Sequence, residues 1–515
     1  MSASNMEAEL KFELQPAEID RLRNHAALRE LTVGRATTRT LLSIYYDTAD
    51  DALFNAGLSL RVRKDGRKWI QTVKQGKAVR AGLSTPMELE VSVPGAEPHL
   101  DMISAPEVAR EIVRRIGEAP LLARFETRMR RTIRTLKVEE GDVEFALDSG
   151  EIVAGERTLP LLEAELELLT GSLGALYEVA RLLFDDGPIR FSPLSKAARG
   201  YRLARGEKPD PFAPQTGLVH RMAAEMTAEE AYADILRACL DRIAHNRLAT
   251  IAGDDPEGPH QLRVALRRLR SAFTVFAPLA DTAETHRLDA EAKRIGQLVG
   301  GLRDADVIIS DIVQPAASRA PDGAKALIAT LEARRVKTRA NVIAGLSEPS
   351  LNAFLLDLGR YAETRGWLTE NIDQTALLAQ PVADFAASAL ERRWKSCVKG
   401  AAKLQKLNIE QRHALRKKLK SLRYAVEFFA GLAKPRKLKP FVAELKALQD
   451  VFGYLNDVAM ARKLIDIDPG SRTDRDKGLL AAGYVMGWHQ ANADHAWAAA
   501  KARWKALEKV EKWWA

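Results

Sequence analysis

The sequence predicts an α+β domain dominated by antiparallel strands, followed by an all-helical domain built from two copies of one unit. Three observations carry this. Apolar and polar residues alternate with period two up to about residue 205, the period becomes 3.6 from His220 onward, and one helical block recurs 153 residues downstream. Between the two regimes, GEKPDPFAPQTGL (Gly206–Leu218) has three prolines, two glycines and no periodicity, as a linker does. The expected organisation is a domain over 1–205, a linker over 206–218 and a helical domain over 219–515.

In the first domain the alternation reads as eight strands: Glu7–Leu14, Thr38–Tyr46, Leu58–Lys64, Trp69–Gln75, Met87–Val93, Thr127–Val138, Asp142–Val153 and Leu161–Leu168. Helices are expected near Pro16–Ala27, Pro106–Ile116 and Leu173–Phe184. The polar faces of the strands are ionic. Glu7, Glu9, Lys11 and Glu13 share one face of the first strand, opposite Ala8, Leu10, Phe12 and Leu14. Arg61 and Arg63 oppose Leu60 and Val62, Glu88 and Glu90 oppose Leu89 and Val91, and Glu163, Glu165 and Glu167 oppose Leu162, Ala164, Leu166 and Leu168.

One polar face is ordinary for an antiparallel sheet. Same-sign residues stacked on single strands are not, because cross-strand repulsion is costly unless carboxylate strands face metal ions and Arg/Lys strands face an anion. A closed sheet with this face inward makes an ionic lumen. Outer-membrane barrels also alternate, but neither a signal peptide nor aromatic girdles accompany the pattern. Clustered carboxylates suit Mg²⁺ or Mn²⁺, and basic strands suit phosphates, so metal-assisted phosphoanhydride hydrolysis is the expected chemistry. No Walker loop, catalytic Cys–His pair or GxSxG elbow competes for the role.

In the second domain, His260–Phe276 aligns without gaps on His413–Phe429, with eight of 17 positions identical. The same offset pairs Glu291, Lys293, Gly300, Leu302 and Asp304 with Glu444, Lys446, Gly453, Leu455 and Asp457. On a helical wheel Leu262, Leu266, Leu269, Phe273 and Phe276 form a buried stripe, and His260, Arg263, Arg267 and Arg270 lie opposite. In the second copy His413, Arg416, Lys420 and Arg423 take the same places over Leu415, Leu419, Leu422, Val426 and Phe429. A charged helix face is ordinarily just solvated, but it then alternates in sign. Like charges at i, i+3 and i+4 repel, so two faces of one sign point to a neutralising anion. No metal-binding cluster accompanies either histidine. Duplex DNA is met by a recognition helix and single strands by interleaved aromatics. These faces have no aromatic except Tyr424, so a polyanion without bases fits better.

The chain of 515 residues is 46% hydrophobic and 29% charged, the composition of an ordinary soluble protein. Its net charge of +9 would by itself point to nucleic acid or membrane. Yet residues 1–205 carry 30 basic and 31 acidic residues, a net −1, so the helical remainder holds the whole surplus. Cys239 and Cys397 are too few for a disulfide framework. No leader and no run of 18 apolar residues is visible, so the chain is expected in the cytoplasm, with no membrane and no specific nucleic acid as partner.

The H-x-x-R-x-x-x-[RK]-x-x-R helix, with LRDADV (Leu302–Val307) and LQDVFGYLNDV (Leu448–Val458), resembles the conserved-histidine α-helical (CHAD) domain over roughly Met226–Leu507. That resemblance implies two pseudo-symmetric four-helix bundles around a basic surface that binds inorganic polyphosphate, with His260, Arg263, Arg267, Arg270, His413, Arg416, Lys420 and Arg423 as the binding residues. Asp304 and Asp457 match its acidic positions and are expected to hold basic side chains by salt bridges, while Asn456 stands where the first copy has Arg303.

E-x-E-x-K (Glu7, Glu9, Lys11), YYDT (Tyr45–Thr48), LRVR (Leu60–Arg63), TVK (Thr72–Lys74), E-x-E-x-E (Glu163–Glu167) and SKAARGY (Ser195–Tyr201) resemble the CYTH or triphosphate tunnel metalloenzyme family over about residues 5–203. This implies an eight-stranded antiparallel tunnel that takes triphosphates with Mg²⁺ or Mn²⁺. Glu7, Glu9, Glu163, Glu165 and Glu167 become metal ligands, Glu9 and Glu165 the catalytic pair, and Lys11, Arg61, Arg63, Lys74, Arg128, Arg130 and Lys196 the phosphate clamps. The family commonly has a basic residue where this chain has Pro86, leaving one contact absent or supplied by Arg80. Inorganic triphosphate is the implied substrate, by similarity to bacterial proteins with this domain pair. The alternatives are a catalytically weak protein attached to polyphosphate granules, and a tunnel enzyme that cyclises ATP or hydrolyses thiamine triphosphate.

Overall fold

The computed structural model describes residues 7–76, 79–208, 210, 212–317, 324–461 and 472–514; Pro209 and Pro211 of the expected linker lie outside them. The chain divides into two compact units, Met1–Ala213 with Glu348–Gly366, and Pro214–Ser347 with Trp367–Ala515.

The first unit is built on nine strands, β1 (Glu9–Glu13), β2 (Thr32–Asp47), β3 (Leu58–Asp65), β4 (Lys68–Gln75), β5 (Leu83–Ser84), β6 (Met87–Val93), β7 (Leu122–Val138), β8 (Gly141–Ala154) and β9 (Arg157–Gly171). The eight expected strands are present, and β5 is a two-residue addition. All neighbours are antiparallel, in the order β5-β1-β9-β8-β7-β2-β3-β4-β6. That order forces closure. Ser84 and Met87 are separated by two residues yet stand at opposite ends of the sheet, and nine strands laid flat would put the ends about 38 Å apart at ~4.8 Å per strand. The sheet therefore rolls into a tunnel, with the Glu7 amide donating to the Pro86 carbonyl at 3.3 Å across the seam.

Six short helices serve this sheet: α1 (Pro16–Arg23), α2 (Ala26–Leu31), α3 (Ala52–Asn55), α4 (Pro106–Ile116), α5 (Gly174–Leu183) and α6 (Lys196–Ala204). Helix α4 begins on Pro106 and ends on Gly117 at φ 56°, as its sequence dictates. Its Val108 and Ile112, with Leu53 of α3, cover the outward apolar set Leu60, Val62 and Val73. Helix α6 packs on the inward face instead, with Tyr201 among Tyr45, Phe125, Ile152 and Leu161. Its cap Ser195 accepts from the Ala198 amide.

The second unit is helical throughout: α7 (Ala228–Ala252), α8 (Glu257–Ala280), α9 (Ala283–Val307), the short α10 (Gln314–Ala317) and α11 (Ala324–Ser347), then, after α12 (Pro349–Glu363) of the first unit, α13 (Ile372–Ala379), α14 (Val382–Ala401), α15 (Ile409–Phe428), α16 (Pro435–Ala461) and α17 (Arg472–Lys509). Adding the 153-residue offset carries α7, α8, α9 and α11 onto α14, α15, α16 and α17 to within a turn or so at most ends. Each set of four is one bundle. The expected apolar stripes of α8 and α15 are buried, and Phe276 stacks on Phe385 at 4.8 Å and meets Phe429 at 5.9 Å, so the two copies share aromatic packing. Among the described residues no helix is long and apolar enough to cross a membrane.

Residues 348–366 fall in the stretch expected to be the helical domain, and by their contacts they cluster with the tunnel unit. The reason is local. Buried Asn352 of α12 donates to the carbonyls of Phe184 and Gly187 and accepts from the Ile189 amide, Asp357 takes an ion pair from Arg181, and Gly359 lets α12 approach the Tyr177 ring of α5.

Candidate functional sites

The register places Glu9, Lys11, Tyr45, Arg61, Thr72, Lys74, Glu88, Arg131, Asp148, Glu163 and Glu165 on the inner face of the tunnel. Lys196 Nζ, brought in by the first turn of α6, stands 2.6 Å from Glu163, 2.6 Å from Glu165 and 3.0 Å from Asp148. Lys11 Nζ is 2.8 Å from Glu9 and 3.2 Å from Glu165. Arg131 Nε donates to Asp148 at 2.8 Å, and a terminal guanidinium nitrogen donates to Glu165. Burial alone would neutralise these groups, but opposite charges at contact distance win. Burial works against the ionised Glu165, yet Lys11, Lys196 and Arg131 hold it well below the usual carboxylate range. Lys11 is likewise held up by Glu165 and Glu9 despite burial.

Towards the seam the balance reverses. Burial and the neighbouring Glu88 push Glu7 up to about 8, and burial with Glu144 and Glu9 pushes Glu167 up to about 7. Burial, with Arg61 and Arg131 alongside, lowers Arg63 to about 10. The lumen thus has carboxylates short of positive charge and a guanidinium short of negative charge. Asp148, Glu163 and Glu165 each offer an oxygen within 4.8 Å of one another, and Glu163 Oε1 is buried with no hydrogen-bond partner. Buried carboxylate oxygens, one of them orphaned, fit a hard divalent cation.

In the helical unit the two basic faces converge. Arg263 and Arg267 of α8 press on Arg416 of α15, and Arg267, Arg416 and Arg423 press on Lys420. Burial and those three cations drive Lys420 down to about 6. Burial lowers His260, with Arg303, Arg267 and Arg263 adding to it, and burial with Lys417 and Arg416 lowers His413. Asp304 holds Arg263 at 3.0 Å, and Asp457 faces Arg416 and Lys420. Arg416 Nε is buried without a hydrogen-bond partner. Burial and like charge together disfavour the charged forms here, which an anion would relieve.

Residues 5–201 match the CYTH domain model and residues 234–466 the CHAD domain model. The chain is a CYTH domain followed by a CHAD domain. An inorganic triphosphatase of Haemophilus influenzae is 28% identical over 197 residues, which is 38% of this chain and 54% of that protein, so about half of the relative's length is matched. The solved CHAD domain of Ricinus communis is 27% identical, covering 59% of this chain and 98% of its own, with a TM-score of 0.49. A Hippeastrum protein assigned as an adenylyl cyclase, and described as having a dominant triphosphatase activity, is 20% identical over 40% of this chain and 98% of its own, with a TM-score of 0.27.

In the CYTH domain the structure brings together Glu7, Glu9, Glu163, Glu165, Glu167, Lys11, Arg61, Arg63, Lys74 and Lys196. It does not bring Arg128 and Arg130 to them. Both are exposed on the outer face, where Arg128 pairs with Glu126 and Glu151; Arg131, one residue on, holds the inward position. Asp148 and Arg199, which donates to Glu163 at 3.1 Å, are further lumen residues that the sequence reading missed. Pro86 lies at the seam, and Arg80 closes a tight backbone turn with Leu83. In the CHAD domain Arg270, like Arg263 with Asp304 and Arg423 with Glu427, is paired with a carboxylate. It is held bidentate by Asp289 at 2.9 and 3.1 Å, whereas the second copy has Val442 at the position equivalent to Asp289.

The raised Glu7 and Glu167 give a pH signature. With values near 8 and 7 they carry protons up to about neutrality, and a cation held there would have to displace them. Mn²⁺ affinity is therefore expected to rise from about pH 6 to about pH 9, with protons released on binding. Calorimetry in buffers of different ionisation enthalpy measures both; pH-independent binding would remove Glu7 and Glu167 from the cation site.

Proposed function

We propose that the CYTH domain hydrolyses inorganic triphosphate with Mg²⁺ or Mn²⁺, and that the CHAD domain binds inorganic polyphosphate. The observation that carries the first half is the lumen itself, where buried Asp148, Glu163 and Glu165 offer oxygens within 4.8 Å of one another and Lys11, Arg61, Arg131 and Lys196 reach the lumen carboxylates. Glu7, Glu9, Glu163, Glu165 and Glu167, with Asp148 beside them, would hold the cation, which would neutralise phosphate charge and lower the pKa of the attacking water. Lys11, Arg61, Arg63, Lys74, Arg131 and Lys196 bind and align the phosphate chain. Water replaces one bridging P–O bond, giving phosphate and diphosphate.

Inorganic triphosphate is favoured over ATP and thiamine triphosphate by the packing of the lumen aromatics. Tyr45 stacks on Phe125 at 4.5 Å and Phe125 meets Tyr201 edge-on at 5.1 Å, so these rings are occupied with one another beneath α6. The matched Haemophilus influenzae inorganic triphosphatase supports the same choice. A panel of inorganic triphosphate, ATP and thiamine triphosphate with Mg²⁺ or Mn²⁺, read for phosphate and cyclic nucleotide, tests it. Phosphate release is expected to be fastest from inorganic triphosphate; a cyclic product or silence on all three sinks the assignment. The second half rests on the convergent basic faces around Lys420. Attachment of the chain to polyphosphate granules in the cytoplasm follows from such binding.

A further inference from the structure

The CYTH match ends at residue 201, yet the tunnel unit is completed by a helix encoded about 150 residues later. What that helix holds is specific. Asn352 is 1% exposed and its amide makes three hydrogen bonds to backbone, with Nδ2 donating to the Phe184 and Gly187 carbonyls at 3.0 and 2.6 Å and Oδ1 accepting from the Ile189 amide at 3.1 Å. It thereby fixes the Phe184–Ile189 turn, in which Gly187 sits at φ 66°. Immediately after that turn the chain docks on β1. The Arg190 carbonyl accepts from the Glu13 amide at 2.8 Å, Phe191 pairs with Phe12, and the Ser192 amide donates to the Lys11 carbonyl at 2.9 Å. Four residues on, Lys196 reaches Asp148, Glu163 and Glu165.

There is little slack between Asn352 and Lys196. A one-residue slip of an extended segment moves everything beyond it by about 3.3 Å and turns each side chain to the other face. That exceeds the 2.6 Å contacts of Lys196 Nζ.

We propose that Asn352 is a positioning residue for the tunnel reaction, holding the Phe184–Ser192 segment in register on β1 and so setting the reach of Lys196 to the lumen carboxylates. The reaction part rests on the reading of the tunnel as a triphosphatase; the register part does not. Asn352→Asp keeps the shape and the acceptor but removes both donations and sets a carboxylate against two carbonyls.

The test uses the full-length chain as wild type, Asn352→Asp, Lys196→Ala and the double variant. Amide hydrogen exchange and Mn²⁺-dependent phosphate release from inorganic triphosphate are measured on each. Asn352→Asp is expected to speed exchange about tenfold or more at Ser192 and Glu13, and to lower kcat by about tenfold, as loss of a buried donor does. The double variant is expected to be no slower than Lys196→Ala, because both changes act through one contact. Exchange changes that stop short of Ser192 and Glu13, or losses in kcat that multiply in the double variant, overturn the proposal. A wild type that releases no phosphate sinks the triphosphatase reading instead, and exchange alone then decides the register. Should Asn352→Asp fail to fold, Asn352→Ser, which adds no buried charge, takes its place with the same two outcomes.

Discussion

Replacing Glu165 by Gln is expected to abolish Mn²⁺- or Mg²⁺-dependent release of phosphate from inorganic triphosphate, by about 1,000-fold or more in kcat/KM. Glu165 meets Lys11, Lys196 and Arg131 at once, and those cations keep it ionised against full burial. The substitution preserves size and removes only the charge, so cation binding and the alignment of Lys11 and Lys196 are lost together. Leaving three buried cations with one fewer carboxylate also costs about 3 kcal/mol, seen as a lower melting temperature of the tunnel unit. Glu9→Gln, whose carboxylate pairs with Lys11 at 2.8 Å and accepts from the Ser84 hydroxyl, should lose activity with a smaller fall in stability. Full activity in either variant would falsify the cation-site assignment.

The second large effect concerns the helical unit. Reversing Arg263, Arg267, Arg416 and Arg423 to Glu is expected to eliminate polyphosphate binding at moderate salt. In wild type the affinity should fall steeply as salt rises, because a bound polyanion releases counterions; four lost contacts reduce the log–log slope by about 3. Fluorescence titration with polyphosphate at several salt concentrations reads both quantities. Undiminished binding in the reversed protein assigns the polyanion to another surface. The arrangement makes this variant informative, since the charges that depress Lys420 are the ones reversed. Arg270, whose guanidinium Asp289 takes bidentate, is left unchanged.

Much of this was legible in the sequence because two periodicities and one repeat offset each constrain many residues at once. Period two gave the ionic face of β1, β3 and β9, where Glu9, Lys11, Glu13, Arg61, Arg63, Glu163, Glu165 and Glu167 point inward and Leu10, Phe12, Leu60, Val62, Ala164 and Leu166 outward. In β7 the same logic inverted. Helix α6 packs on the inner face near one end, so Phe125 and Met129 are apolar and inward. Alternation with apolar residues outside therefore does not correct the Arg128 and Arg130 that the family resemblance implied to the inward Arg131. Asp148 was hidden for a related reason. Its strand carries Ala146 and Gly150 at the neighbouring inward positions, so no charged alternation marks it. The membership of α12 in the tunnel unit was not legible at all, because its amphipathic pattern says that it packs but not on what.

That last feature bears on how the protein is made. The tunnel unit lacks a helix until Gly366 has been synthesised, although its sheet is complete by Gly171. At a translation rate of about 5–20 residues per second, the interval between Ala213 and Gly366 is roughly 8–30 s. During that time the apolar flank of α5 and the carbonyls of Phe184 and Gly187 wait for their partner on the nascent chain, while the first helical copy is emerging between them. The order of synthesis and the order of assembly are thus interleaved, and the tunnel is finished only after half of the other unit has been made.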